Sequence, residues 1–250
     1  MITDLIDDDD HSLARHLADL AGRALVELRE DPAITNPWLL RDEGDRRAHD
    51  LLVAELARCR PDDIVLSEEA VDDRRRLDAE RTWIIDPLDG TQDYPYGDSI
   101  EWAVHVALVE HQQPTAAAVA VPGLGLVAGT DNTVAPDAGS RTRPIVISGR
   151  SNAYHAAAVA DALDARLTAC GSAGVKAMLV VTGEVDVYVH ASGLYEWDVC
   201  APAAVAASAG LVVTDLAGRP ILYNKPQPIV RGLVISRPEY AGTVSAVLGS

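Results

Sequence analysis

Apolar residues recur at helical spacing early in the chain. Leu13, Leu17, Leu20, Ala21, Ala24, Leu25 and Leu28 mark one face of an amphipathic helix over residues 11–30, and Pro32 and Pro37 are expected to end it. A second helix is predicted over 45–60, with Ala48, Leu51, Leu52 and Leu56 facing inward. The stretch "DIVLSEEA" reads as a short strand running into two glutamates, and "VDDRRRLDAERT" as a solvated, charged segment. The pattern then changes period. "TWIID" is a short apolar strand that stops at an aspartate. "IEWAVHVALVE" alternates strictly, with Ile100, Trp102, Val104, Val106 and Leu108 on one side. "TAAAVAVP" and "GLVAGT" continue an antiparallel meander. After the polar, turn-rich residues 131–143, strands alternate with helices. "PIVIS", "VDVYVH", "LVVTD" and "RGLVIS" are strands. "NAYHAAAVADAL", "KAMLVVTG", "DVCAPAAVAASAG" and the C-terminal segment are helical. The expected fold class is α/β (α+β), with a subdomain boundary in the polar stretch. The division is an acidic tail over 1–10, an N-terminal α+β subdomain over 11–140 and a C-terminal α/β subdomain over 141–250.

Charge narrows the partners. The chain has 250 residues and a formal net charge of -17, from 38 acidic and 21 basic side chains. That sign argues against nucleic-acid polymers and anionic membranes. It leaves room for a small anionic substrate, because a bound cation inverts the local field. Cys59, Cys170 and Cys200 are far apart and odd in number, which suits reduced, buried thiols in a cytoplasmic protein. No apolar run reaches the length of a membrane span, and "MITDLIDDDD" lacks the basic start of a signal peptide.

The candidate chemistry lies where apolar segments stop at acids: Glu68 in "VLSEEA", Asp86 and Asp89 in "IIDPLDGT", Asp198 in "YEWDVCAP", and Asp45 in "DEGDRRAH". Converging carboxylates repel one another, and a carboxylate at a buried strand end is costly without a partner. Hard divalent cations answer both problems, and Mg²⁺ takes oxygen ligands. Pro87 stiffens the link between Asp86 and Asp89, and the Leu88 carbonyl offers a neutral oxygen. Gly90 permits a tight turn, and free N–H groups there could hold a phosphate oxygen. Thr91 could orient the attacking water. Metals beside phosphate donors amount to a hydrolytic phosphatase site. Asp198 could also cap the helix that follows it. Other chemistries fail on spacing. The acids are three apart, not two as in an aspartyl nucleophile motif; "GSAGVKA" is no P-loop; neither GxSxG nor HExxH occurs. His105 and His190 fall within strands and read as structural.

Three segments carry a resemblance. "WIIDPLDGT" resembles the DPxDGT signature of the inositol monophosphatase superfamily, "EWDVCAPAAVAASAG" its WDxxA signature, and "LSEEA" its upstream glutamate motif. Their order and spacing match along nearly the whole chain after the tail. The resemblance implies a layered αβαβα sandwich and magnesium-dependent, lithium-sensitive phosphomonoester hydrolysis with two or three Mg²⁺ ions. It implies Glu68, Asp86, the Leu88 carbonyl, Asp89 and Asp198 as metal ligands, and Thr91 paired with Asp45 as the group that activates water. The Gly90 and Thr91 amides would hold phosphate. "WDxCAP", "GSAGVK" and "ILYNK" resemble the 3'(2'),5'-bisphosphate nucleotidase branch of actinobacterial type, whose substrate is 3'-phosphoadenosine 5'-phosphate. Glu68, Leu88, Asp89, Gly90, Thr91, Ser148, Ser151, Ser172, Lys176 and Asp198 are then the implied substrate contacts, with Lys176 toward a second phosphate. "QDYPYGD", with Tyr94 and Tyr96, departs from the aromatic that usually follows the glycine-threonine pair. Inositol-1-phosphate or fructose-1,6-bisphosphate hydrolysis stays open as an alternative, as does a non-catalytic sensor of Mg²⁺ and a phosphorylated metabolite. A homodimer is left open.

Overall fold

The structure is a computed structural model that describes residues 9–136, 142–151 and 153–249. Helices α1 (Asp10–Arg29) and α2 (Pro37–Cys59) lead into a five-stranded sheet: β1 (Ile64–Ser67), β2 (Arg81–Asp89), β3 (Ala103–Glu110), β4 (Gln113–Val121) and β5 (Leu126–Gly129). These strands lie in chain order, with β1 and β2 parallel and the rest antiparallel. The second half contains β6 (Ile145–Ser148), α3 (Tyr154–Ala162), β7 (Arg166–Ala169), α4 (Ala173–Val181), β8 (Val187–Tyr195), α5 (Glu196–Ser208), β9 (Val212–Thr214), β10 (Ile229–Ser236) and α6 (Pro238–Leu248). Its sheet has the order β7-β6-β8-β10-β9, parallel across β7-β6-β8 and antiparallel across β8-β10-β9.

Three separate cores stack these elements into five layers. In the outer core, α1 and α2 pack on one face of the first sheet through Leu17, Leu25, Leu52, Val104, Val106 and Leu108. The other face of β3, with Ala103, Ala107 and Val109, joins α4, α5 and the inner face of the second sheet in the central core. The third core lies between the second sheet and α3 and α6, around Val146, Val159, Val187 and Val244. The αβαβα sandwich is therefore present. Helix α5 is apolar nearly all round, as a helix enclosed between two sheets must be.

Three local expectations need correction. Pro37 does not end a helix but begins one. Asn36 caps α2 by accepting from the amides of Trp38 and Leu39, and proline at the first helical position loses no internal bond. The acidic run does not remain a tail as far as residue 10. Asp9 caps α1, and Asp10 pairs with Arg60 and Arg81. The segment 71–82 is not simply solvated: Arg76 is fully buried, held by Asp72, Asn224 and the Lys225 carbonyl. Strand β7 is mostly exposed at the sheet edge, so it shows no apolar signal. The expected boundary near residue 140 lies outside the described residues. Among the described residues no helix is long and apolar enough to cross a membrane.

Candidate active site

The parallel strands β1 and β2 end side by side, which sets Glu68, just past β1, near Asp86. Asp86 and Asp89 are three residues apart, and regular pleating would turn them to opposite faces. A bulge prevents this. Asp86 pairs with His105 and Asp89 with Ala103, so three steps along β2 match two along β3. Both acids thus face α4 and α5. Asp198, in the first turn of α5, completes a cluster in which one carboxylate oxygen from each of Asp86, Asp89 and Asp198 lies within 4.8 Å of the others. Asp198 is not the N-cap expected of it: Tyr195 holds that position, and Asp198, third in the helix, accepts from the Tyr195 amide at 2.8 Å as the acid of a capping box.

The environments of these acids differ. Asp86 is 1% exposed; one oxygen accepts from the Leu88 amide at 3.0 Å, and the other is buried without a hydrogen-bond partner, 3.8 Å from His105 Nδ1. Burial pushes its carboxyl well above the ordinary range, and the charges of Asp89, Glu68 and Asp198 push it further. Burial likewise raises Asp198, to about 7, with help from Asp89. Glu68, exposed at the mouth, is raised by desolvation and then by Glu69 and Asp89. Asp89 goes the other way. Burial alone would raise it, but His105, Lys176 and Ser172 outweigh that and hold it at about 2. It accepts from the Ser172 hydroxyl, from the Gly174 amide at 2.7 Å and from the Ala173 amide at 3.2 Å, at the N-terminus of α4. An orphaned buried carboxylate oxygen among crowded acids fits a hard cation.

His105 lies in the centre, fully buried. Its Nδ1 donates to the Trp197 carbonyl at 3.0 Å, and its Nε2 is 3.4 Å from Asp89. Its position within a strand predicts only a structural role. The signal that could have found it was a lone polar side chain in an apolar strand whose partner residue is Asp86. Gly174 exists for the same close approach: a Cβ there would lie 2.1 Å from His105 Nε2. Gly90 is the other obligatory glycine, at φ 88°, where a Cβ would meet the Glu101 carbonyl at 2.3 Å.

Asp45, half-buried on α2, is raised to about 7 by desolvation and by Glu69 and Glu68. Its expected partner, Thr91, instead donates its hydroxyl hydrogen to the Leu88 carbonyl at 2.9 Å. Lys176 is not poised for a second phosphate. It is buried, and its ammonium donates to the carbonyls of Cys170, Gly171 and Ser172, which uses all three hydrogens. It braces the loop that presents Ser172 and the α4 amides. Ser148 donates to the Gly149 carbonyl, Ser151 is exposed in the next bend, and neither bonds to the acidic cluster. Arg150 bridges Asp93 and Glu101, tying this loop region to the turn after Gly90. A surface cleft of about 650 Å³ along 215–231 shares no lining residue with the cluster.

The raised acids predict a pH slope. Asp45 and Asp198 keep their protons in the folded state to about pH 7, whereas the unfolded chain sheds them near the ordinary 3.8. The folded state therefore binds more protons between about pH 4 and 7, and stability falls as pH rises through that window. In chelator-treated protein, the melting temperature should drop by several degrees between pH 5 and 7.5. A flat or rising profile in calorimetry would contradict the crowding of these carboxylates.

Comparisons with known proteins converge on one family. Residues 40–247 match the inositol monophosphatase family. A 3'-phosphoadenosine 5'-phosphate phosphatase of Mycobacterium leprae is 40% identical over 252 residues, covering 96% of this chain and 93% of that protein. The 3'(2'),5'-bisphosphate nucleotidase CysQ of Escherichia coli is 31% identical over 196 residues, covering 72% and 78%. The crystal structure of CysQ from Bacteroides thetaiotaomicron superposes with a TM-score of 0.72 at 27% identity, covering 90% of this chain and 95% of that one. Similarity over nearly the full length, in sequence and in fold, means that this chain belongs to the inositol monophosphatase family.

Proposed function

We propose that the chain is a magnesium-dependent phosphomonoesterase that hydrolyses 3'-phosphoadenosine 5'-phosphate to AMP and phosphate in the cytoplasm. The observation that carries the catalytic part is Asp86, a buried carboxylate with one oxygen unpartnered inside an acidic cluster. The substrate rests on the activities of the mycobacterial and CysQ relatives.

In this reading Asp86, Asp89, Asp198, Glu68 and the Leu88 carbonyl would hold two or three magnesium ions. When bound, the metal supplies Lewis-acid stabilisation of phosphoryl charge and makes water acidic enough to attack near neutral pH. The side chains do the rest. Ser172 and the α4 amides fix Asp89 in one orientation. The amides of Gly90 and Thr91 orient the reacting phosphate. The Thr91 hydroxyl, its hydrogen on the Leu88 carbonyl, accepts from the attacking water, and Asp45 has a proton affinity suited to a base near neutrality. The two sheets serve as subdomains, 11–140 and 141–250, with the site between them.

The test compares substrates on one preparation with Mg²⁺. The adenosine bisphosphate should exceed inositol-1-phosphate and fructose-1,6-bisphosphate in kcat/KM by a factor of ten or more. A preference for inositol-1-phosphate would replace the substrate and keep the chemistry. No hydrolysis of any of the three, with Mg²⁺ binding intact, would favour a sensor.

A further inference from the structure

The nucleotidase reading, on which this step rests, leaves one charge unanswered. A bisphosphate substrate carries a second dianion that the acidic cluster cannot neutralise, in a chain of net charge -17. The nearby cations are mostly engaged. Lys176 donates to three carbonyls. Arg150 bridges Asp93 and Glu101. Lys225 sits beside Glu196 and donates to the Ile229 carbonyl.

Arg41 differs from all of these. Among the described residues it has no carboxylate hydrogen-bonded or ion-paired to it. Its Nη1 donates only to the Gln92 side chain, at 3.2 Å, and its Nε is buried without a partner. The guanidinium lies 5.1 Å over the ring of Trp38, which is 70% exposed. Arg41 precedes Asp45 by four residues, so the two project from one face of α2, about one 5.4 Å turn apart. Its charge opposes the rise of Asp45. Gln92 directly follows Thr91, which places Arg41 beside the turn that presents the reacting phosphate. A planar guanidinium with free donors, braced on an aromatic ring, is suited to phosphate.

We propose that Arg41, supported by Trp38, receives the non-reacting 5'-phosphate and sets the preference for bisphosphate over monophosphate nucleotides. The test uses Arg41→Ala and Arg41→Lys with 3'-phosphoadenosine 5'-phosphate and with adenosine 3'-monophosphate, which lacks the second phosphate. For Arg41→Ala the kcat/KM loss on the bisphosphate should exceed the loss on the monophosphate by about ten- to a hundredfold, mostly in KM. Inhibition by AMP, which retains the 5'-phosphate, should weaken by a similar factor. Arg41→Lys should recover part of both, because it keeps the charge but not the stacked fork. Equal losses on the two substrates would overturn the assignment, leaving Arg41 as a group that acts through Asp45. If the wild-type protein itself hydrolyses the monophosphate as well as the bisphosphate, the nucleotidase reading falls, and this inference with it.

Discussion

Asp86→Asn should cut turnover on the order of 10³-fold and yet raise the melting temperature of the metal-free protein. Asp89→Asn should cut turnover as deeply and lower that temperature. The shared loss follows from their shared proposed task, since charge stabilisation by a bound metal is worth several kcal/mol of barrier. The opposite stability effects follow from their surroundings. Asp86 is buried with an unpartnered oxygen and is pushed toward protonation by three neighbouring acids. An amide keeps its shape and its bond from the Leu88 amide, and it removes the repulsion. Asp89 is bonded by donors alone: the Ser172 hydroxyl and two α4 amides. An asparagine must set an NH₂ against some of these donors, leaving buried groups unsatisfied at about 1–3 kcal/mol. In a chain of this size each kcal/mol moves the melting point by about 2–4 °C. Calorimetry in the presence of chelator reads both variants. Shifts of the same sign would mean that the α4 N-terminus does not distinguish the two acids.

The contrast between those aspartates also marks what could be read from the chain. The acids themselves were legible, because an aspartate ending an apolar run is locally anomalous whatever the fold. The alternation around β3 was legible at Trp102, Val104, Val106 and Leu108, which share one core, but not at Ile100, which lies before the strand and is exposed. What sets Asp89 apart was not. Its partners Ser172, Ala173 and Gly174 are more than 80 positions away in sequence, and only the stacking of α4 against β3 brings them together. Lys176 was misread for a related reason. A lysine near a helix start usually reaches solvent, but this one is enclosed by the central layers and turns back onto its own loop. Pro37 was misread at the local level, where proline ends one helix or starts another depending on the cap before it. The bulge between Asp86 and Asp89 is a property of strand pairing, so the proline there hinted at irregularity without showing which way the second acid would face.

Thr91→Ala should lower kcat by about 10²–10⁴-fold, the usual range for assistance to a proton transfer, and leave Mg²⁺ affinity close to that of the parent. Thr91→Ser should retain most activity. The geometry gives the hydroxyl a defined polarity: its hydrogen is on the Leu88 carbonyl, so its lone pairs are free for the attacking water. It can therefore orient that water without touching Asp45, contrary to the direct pairing the family resemblance implies. The two arrangements separate on a second variant. If Thr91 acts only as an acceptor that positions water, Asp45→Asn in a Thr91→Ala background should cost a further factor close to its cost in the parent, because independent contributions add. If the hydroxyl swings from Leu88 to pass a proton to Asp45, the second substitution should cost little once the first is made. Calorimetric Mg²⁺ titrations accompany the kinetics, since a loss confined to metal affinity would return Thr91 to a supporting role for the Leu88 carbonyl. The pH profile adds a further check. Asp45 is raised to about 7 by desolvation and by Glu69 and Glu68, so if it is the base, the acid limb of the metal-saturated profile should disappear in Asp45→Asn and persist in Thr91→Ser.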